Sequence, residues 1–416
     1  MRYSAWAVFK QGLTGQKGWS PAWRSPEPQS DYDAIIIGGG GHGLATAYYL
    51  AKTFGMRRIA VLEKGWIGGG NSGRNTTVVR SNYYYRASAQ LYDHALKLYE
   101  SLSKELNYNV MFSQRGMIAL THSLHDVELA HRQVGAMRLN GVDADFISTA
   151  EIARRVPILD VSPDARFPVL GGIIQKRAGT ARHDAVVWGY ARAADALGVD
   201  IIQNCEVTGI DRDAGGAVTG VQTSRGAITT RRIGLTVAGS SGHLAQMAGF
   251  RLPITSYALQ AFVSEPLKPV LDTVVLSPAT GMYISQSDKG GLVMGGGLDL
   301  YPSYAQRGNM PVIRDVVGAV AAQYPSLGRV RLLRQWAGIV DVVPDSSPII
   351  GASPVPGLYL DCGWGTGGFK AIPVGGTVLA HQIATGAPHP LALPFSLERF
   401  TTGALIDEAA GSGIAH

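Results

Sequence analysis

Three stretches of the chain hold residues whose types and spacing could do chemistry. In the first, the apolar run Ile35-Ile36-Ile37 leads into Gly38-Gly39-Gly40-Gly41-His42-Gly43, with Gly38, Gly40 and Gly43 at the Gly-x-Gly-x-x-Gly spacing. Gly38 permits a tight strand-to-helix turn, Gly40 lets the backbone approach a phosphate, and Gly43 allows close helix–strand packing. The free N–H groups opening the next helix would then face the negative charge of a dinucleotide pyrophosphate. Glu63 stands 20 positions after Gly43, where an acidic side chain accepts hydrogen bonds from the adenosine ribose. The second stretch, Lys64 to Arg80, is rich in glycine and in amide or hydroxyl donors, among them Asn71, Ser72 and Thr77. It passes through Val79 to Arg80, whose guanidinium suits bidentate capture of a carboxylate, although a surface ion pair would use the same residue. The third stretch places Gly363, Gly365, Thr366, Gly367 and Gly368 ahead of Phe369 and Lys370. Such a loop aims a helix N-terminus at something flat or anionic, and Lys370 adds positive charge there. A further histidine, His183, follows Arg182 before an Ala-rich run, and on residue chemistry alone it reads as a capping or packing residue.

These residues need elements to position them. Thr53 to Gly55 can close the first helix, and Ile59-Ala60-Val61-Leu62 reads as the next strand, with Glu63 at its end. A helix from Ala87 to Leu106 carries apolar residues at helical spacing, and Tyr83-Tyr84-Tyr85 before it reads as packing. Met111 to Leu120 reads as strand, and 124–155 as one or two helices. A helix from the His183 region to Leu197, then one strand from Val199 to Ile210, returns the chain to a parallel sheet. Leu235 to Ser240 is a further buried strand. From Ile254 to Val340 the pattern changes to strand-like segments at 256–264, 281–286 and 291–295, with a helix at 313–323 and a strand at 331–340. This composition predicts a mostly antiparallel sheet roofing the ligand. The fold class is α/β, α+β overall: a nucleotide domain over 33–112, 178–252 and 343–416, with 113–177 and 253–342 as an inserted substrate domain. Residues 1–32 precede it, holding Trp6, Trp19 and Trp23 with little helical or strand periodicity. Those aromatics need burial, either along this chain or against another.

The bulk numbers bound the classes. A chain of 416 residues suggests two domains or one with large insertions. Hydrophobic residues at 46% against 16% charged ones describe a globular protein. The net charge of +6 comes from scattered Lys and Arg, which leaves no nucleic-acid footprint. No apolar run approaches the roughly 18 residues of a membrane span. Two cysteines give no disulfide framework. The expectation is a soluble cytoplasmic protein without nucleic-acid or membrane partners.

Taken in order, these words resemble the amine-oxidising flavoprotein family that includes the D-amino-acid, glycine and sarcosine oxidases, from about Tyr32 to Phe400. The likeness rests on the dinucleotide motif, the Glu206-Val207 strand, Pro344-Asp345 before Pro348-Ile349-Ile350, and the Gly363–Lys370 loop. Within the family the chain is most similar to the β subunits of heterotetrameric sarcosine oxidases, through Gly39 to Leu50, Arg74-Asn75-Thr76-Thr77, Asp200 to Gly209 and Cys362 to Lys370. The resemblance implies a Rossmann-type domain holding non-covalent FAD through Gly38, Gly40, Gly41, His42, Gly43, Glu63 and Lys64. Asn71, Ser72, Thr77, Val79, Val207, Gly363, Thr366, Gly367, Gly368 and Lys370 complete that implied set. A second flavin, FMN, is implied on His183 through its 8α carbon, beside Arg182 where the related subunits carry Lys. Carry-over from the monomeric sarcosine oxidases puts the substrate carboxylate on Arg80 and Lys370 and a pocket tyrosine at Tyr283. Three positions depart from those enzymes: Gly367 stands for a histidine, Gly338 for an FAD-tethering cysteine, and Val293 near a lysine used toward oxygen. The implied reaction demethylates sarcosine at FAD, passes electrons to FMN, and reduces O2 to H2O2. Glycine and 5,10-methylenetetrahydrofolate would form with the help of a folate site on an α subunit, γ and δ subunits completing the assembly. The alternatives are a stand-alone FAD oxidase or dehydrogenase of dimethylglycine or proline, and a flavoprotein scaffold whose cofactor only stabilises an assembly.

Overall fold

Ala34–Ile37 (β1) and Ile59–Leu62 (β2) are apolar at every position and wholly buried, as strands covered on both faces must be. In the computed structural model, which describes residues 4–19 and 21–406, they are neighbouring interior strands of a six-stranded sheet. The extreme ends of the expected arm and of the 343–416 segment, with Ser20, lie outside the described residues. Leu358–Cys362, Ile233–Leu235, β1, β2 and Asp200–Ile202 run parallel, and Ile349–Ala352 pairs antiparallel at one edge. Gly41–Phe54 (α2) follows β1 directly and ends at Gly55, whose φ of 67° closes the helix. The Gly368–Thr385 helix crosses α2 at backbone distance. A Cβ on Gly376 would lie 2.4 Å from the Ala45 Cβ, and one on Gly41 would lie 2.3 Å from Ile372 Cδ1. Small residues at this crossing let two helix N-termini meet at one place.

The second sheet has eight strands and is antiparallel except where Val274–Ser277 runs parallel to Met117–Thr121. Thr255–Pro266 and Leu332–Val342 form its long pair, and Gly291–Leu298 and Met282–Gln286 continue it. This is the mostly antiparallel inserted sheet that the composition predicts. Asn71 ties it to the nucleotide loops, because its side-chain amide donates to the Ile339 carbonyl while its Oδ1 accepts the Ile339 N–H at 2.8 Å.

Several local readings are corrected. The N-terminal segment contains a helix, Ala5–Leu13 (α1), capped by Ser4, with no buried residue. Its neighbours pack on this chain: Arg24 pairs with Asp195 and donates to the Val199 carbonyl, and Gln29 and Tyr32 donate to Asp200. The single strand expected from 199 to 210 breaks at Asn204, which takes φ 52°, into Asp200–Ile202 and Val207–Arg212 of different sheets. The break arises because Asn204 and Cys205 donate their N–H groups to the Gly65 and Glu63 carbonyls instead of continuing the ladder. Residues 124–155 hold a strand, Ala144–Ile147, between Leu124–Leu139 and Thr149–Arg155. Only Met117–Thr121 of the strand expected from Met111 forms, and only Ile233–Leu235 precedes a 3-10 turn at Ala238–Ser240.

The C-terminal segment is held by a buried ion pair. Arg399 Nε and Nη2 lie 2.7 and 2.9 Å from the two oxygens of Asp345, and Nη2 also donates to the Ser347 carbonyl. Burial would raise the Asp345 carboxyl, but the Arg399 hydrogen bonds and charge outweigh it and hold the group below its ordinary value. Its contribution is therefore complete above the unfolded-state value of about 3.9 and is lost as pH falls through the lower folded value. Asp345→Ala strands a buried guanidinium, and the expected loss is about 3–5 kcal/mol. Urea unfolding followed by circular dichroism checks this, and an unchanged midpoint would refute it.

Candidate active site

A cavity of about 650 Å³ opens between the parallel sheet and the roof. Gly38, Gly40, Gly41, His42, Glu63, Lys64, Asn71, Ser72, Arg80, Val207, Tyr283, Thr366, Gly368 and Lys370 line it. Residues more than three hundred positions apart thus share one wall, because β1, β2 and Leu358–Cys362 all end at the same edge of the sheet. Gly43, Thr77, Val79, Gly363 and Gly367 are not on that wall, nor are Arg182 and His183.

At one end the sequence dictates the backbone. Gly38 takes φ 110°, and a Cβ there would lie 2.6 Å from the Thr236 carbonyl oxygen. Gly43 is more constrained still, since its Cβ would come within 2.0 Å of the Gly38 carbonyl oxygen. Glu63 is oriented by the turn itself: the Gly39 N–H donates to Oε2 at 2.9 Å and the Gly65 N–H to Oε1 at 2.8 Å. Each oxygen keeps a lone pair for a further donor, such as a ribose hydroxyl. Ser72 Oγ accepts the Gly41 N–H at 3.0 Å, which leaves the serine hydroxyl proton for an anion.

At the other end two cations converge in a buried place. Arg80 is 4% exposed, donates to Asn82 Oδ1 at 2.6 Å, and lies 4.9 Å from the Tyr83 ring centre. Tyr83 stacks on Tyr92 at 4.0 Å, and Lys370 Nζ is 5.7 Å from the Tyr92 ring. Lys370 is 5% exposed and donates to the Thr366 carbonyl at 3.1 Å, and no carboxylate pairs with it among the described residues. Burial, then the Arg80 charge, push its ammonium well below the ordinary value. Tyr283 faces the same cavity, its hydroxyl pushed up to about 12 by burial. A cluster of buried cations and aromatic faces suits a small carboxylate whose remaining atoms are apolar.

His183 occupies a separate place, as the first residue of the His183–Ala196 helix. Its Nδ1 is buried with no hydrogen-bond partner among the described residues, and burial lowers its affinity for a proton. Arg182 is held by Asp184 at 2.7 Å and by Asp288 at 3.5 Å. Residue reasoning missed Asp341, Asp361 and Tyr92. Asp361 had a signal, because it sits near the carboxyl end of a parallel strand beside the glycine loop. Asp341 and Tyr92 had none, since packing of the roof and of Arg86–Glu105 (α3) brings them in.

The comparisons with known proteins agree with this geometry. A family model described as FAD dependent oxidoreductase matches residues 33–382. The chain is 55% identical to sarcosine oxidase subunit beta of Rhizobium meliloti, over 98% of each chain. It is 52% identical to the subunit of the same name from Arthrobacter sp, over 95% of this chain and 97% of that one. Among solved structures, the L-proline dehydrogenase from P. horikoshii superposes with a TM-score of 0.85 at 27% identity, covering 91% of this chain and 100% of that one. The chain belongs to the FAD-dependent oxidoreductase family, in the branch of the sarcosine oxidase β subunits.

Proposed function

We propose that this chain oxidises sarcosine within a multi-subunit, two-flavin enzyme. The observation that carries the reading is the convergence of Arg80 and Lys370 on the wall that also holds the dinucleotide turn. The residues fit FAD: Gly38 and Gly43 keep the turn tight, since a Cβ on either would meet a backbone oxygen, Gly40 and Gly41 bring bare backbone to the cavity wall, and Glu63 presents a pre-oriented carboxylate. They also fit FMN at His183, whose buried and unpartnered Nδ1 is an available nucleophile and whose low basicity keeps its lone pair free. Arg182 would bring a charge already balanced by Asp184 and Asp288. When bound, FAD supplies the acceptor for a hydride equivalent, and FMN the site where O2 becomes H2O2. The division of the chain into 33–112, 178–252 and 343–416 for FAD, and 113–177 with 253–342 for substrate, is part of the same proposal.

This chain's residues do the orienting. Arg80 and Lys370 hold the sarcosine carboxylate, which fixes the amine and the N-methyl group against the cavity wall. Their positive field disfavours the ammonium form of the substrate, so the reactive neutral amine is the one retained. Tyr283 and the roof strands exclude water from the apolar end. The imine product would pass to a folate site on a partner subunit, giving glycine and 5,10-methylenetetrahydrofolate. The exposed Trp6 and Phe9 of α1, which stack at 5.8 Å, supply an apolar surface for the α, γ or δ partners.

Four outcomes are expected. Anaerobic sarcosine bleaches the visible flavin absorbance of the assembled enzyme, and an unchanged spectrum excludes the proposal. Arg80→Ala and Lys370→Ala each raise the KM for sarcosine by roughly 10- to 100-fold, the scale of a charged hydrogen bond, and unchanged steady-state KM values would remove the carboxylate assignment. A bound carboxylate stabilises charged Lys370, so binding of acetate takes up a proton at pH values between the free and bound lysine values. Calorimetry in buffers of different ionisation enthalpy reads that uptake, and Lys370→Arg abolishes it. Finally, mass spectrometry of denatured, correctly assembled enzyme finds FMN on the tryptic peptide carrying His183. Its absence favours the stand-alone secondary-amine dehydrogenase, the reading suggested by the proline-dehydrogenase likeness.

A further inference from the structure

His42 is the second residue of α2 and lines the cavity, yet its ring points between helices. A Cβ on Gly375 would lie 2.5 Å from its Nδ1, so the imidazole is wedged against the backbone of the Gly368–Thr385 helix. Nδ1 lies 2.8 Å from Asp361 Oδ2, and Nε2 lies 2.8 Å from the Gly368 carbonyl oxygen. A carbonyl oxygen only accepts, so Nε2 carries hydrogen. Asp361 receives the Trp364 indole N–H on its other oxygen, which stabilises the carboxylate and leaves the shared proton on Nδ1. With hydrogen on both nitrogens the ring is a cation. The groups facing it are Asp361 on Leu358–Cys362, Asp341 on the roof strand, the Gly368 carbonyl, and the positive end of α2. Burial, the largest effect, disfavours the charge, and Asp361, the carbonyl and Asp341 together outweigh it.

We infer that His42 is a permanently protonated positioning residue, an imidazolium that clamps the 363–368 loop to the dinucleotide turn and so sets the start of the helix carrying Lys370. Two charge-assisted hydrogen bonds in a buried place define an angle as well as a distance. One anchor lies in the strand leading into the loop and the other at its far end. Two residues after Gly368 comes Lys370, so a shift of the loop moves its ammonium. A side chain at 42 without a donor would leave Asp361, only 2% exposed, with the Trp364 indole as its remaining side-chain partner among the described residues. The charge state rests on these contacts alone; only the effect at Lys370 rests on the proposed carboxylate site.

The test uses the assembled enzyme with ¹⁵N-labelled histidine. His42→Gln assigns the signals by their loss, and His42 is expected to show two protonated ring nitrogens that do not titrate between mildly acid and mildly alkaline pH. A pyridine-type nitrogen at neutral pH overturns the charge assignment. His42→Gln is expected to raise the KM for sarcosine and the Kd for acetate about tenfold, with a smaller change in kcat, the scale of one such hydrogen bond. Acetate affinity within twofold of the parent overturns the positioning role. Should His42→Gln fail to fold, Asp361→Asn keeps the shape and a single acceptor. There His42 is expected to titrate in the neutral range and to make acetate affinity depend on pH; a ring that stays charged, or an affinity that does not follow it, overturns the clamp. Failure of sarcosine to bleach the parent flavin would sink the proposed function and leave the nitrogen signals untouched.

Discussion

The backbone crossing of α2 and the Gly368–Thr385 helix is the constraint on which the site depends. Each helix starts at the cavity, so each aims its unsatisfied N–H groups at the same volume. Bringing two N-termini together requires the helices to touch near their ends, and side chains of ordinary size would hold them apart. Gly41, Ala45, Gly375 and Gly376 remove that obstacle. The same closeness leaves room for one planar ring between the helices, and His42 fills it. Packing and electrostatics are thus one decision: the small residues that permit the crossing also create the slot that holds a cation.

Burying Arg80 and Lys370 together works against the fold, since like charges repel and desolvation penalises both. The structure limits the damage with aromatic faces. Arg80 lies over Tyr83, Tyr83 stacks on Tyr92, and Tyr92 lies beside Lys370. A ring face attracts a cation without neutralising it, whereas a carboxylate on Lys370 would compete with any anionic ligand. The depressed basicity of Lys370 is the residue of that strain. An anion entering the cavity relieves it, which converts folding strain into binding affinity.

How legible all this was differs by element. Periodicity and turn chemistry revealed the parallel strands, α2 and the roof, because each carries a local pattern that burial enforces. Glu63, Arg80 and Lys370 were visible because their types and positions after strand or loop ends are informative by themselves. The break at Asn204 was not, since a run of strand-like residues says nothing about a neighbouring loop competing for its N–H groups. The helix Ala5–Leu13 was hidden by its Trp and Gly content and is stabilised locally by the Ser4 cap. Tyr83 read as packing, and it does pack, but against a guanidinium. Asp341 and Tyr92 come from elements whose sequence patterns carry no sign of the site; only tertiary proximity identifies them.

The three departures that the resemblance to the monomeric sarcosine oxidases implies separate into forced and free. At Gly367 a Cβ would lie 2.2 Å from the Tyr92 hydroxyl, so a histidine and this tyrosine exclude each other. Glycine here is the consequence of α3 supplying the aromatic that sits beside Lys370. At Gly338 a Cβ would meet Asn71 Oδ1 at 3.4 Å, an ordinary contact, so the backbone there has room for a Cβ. Val293 pairs with Ser285 and Val263 inside the roof and lines no part of the cavity wall. The missing tether and the missing lysine are therefore choices of chemistry, while the missing histidine is a choice of packing. A Cβ at 338 could be accommodated as the chain stands; a side chain at 367 would first have to displace Tyr92 and, with it, the stack that lets two cations share one pocket.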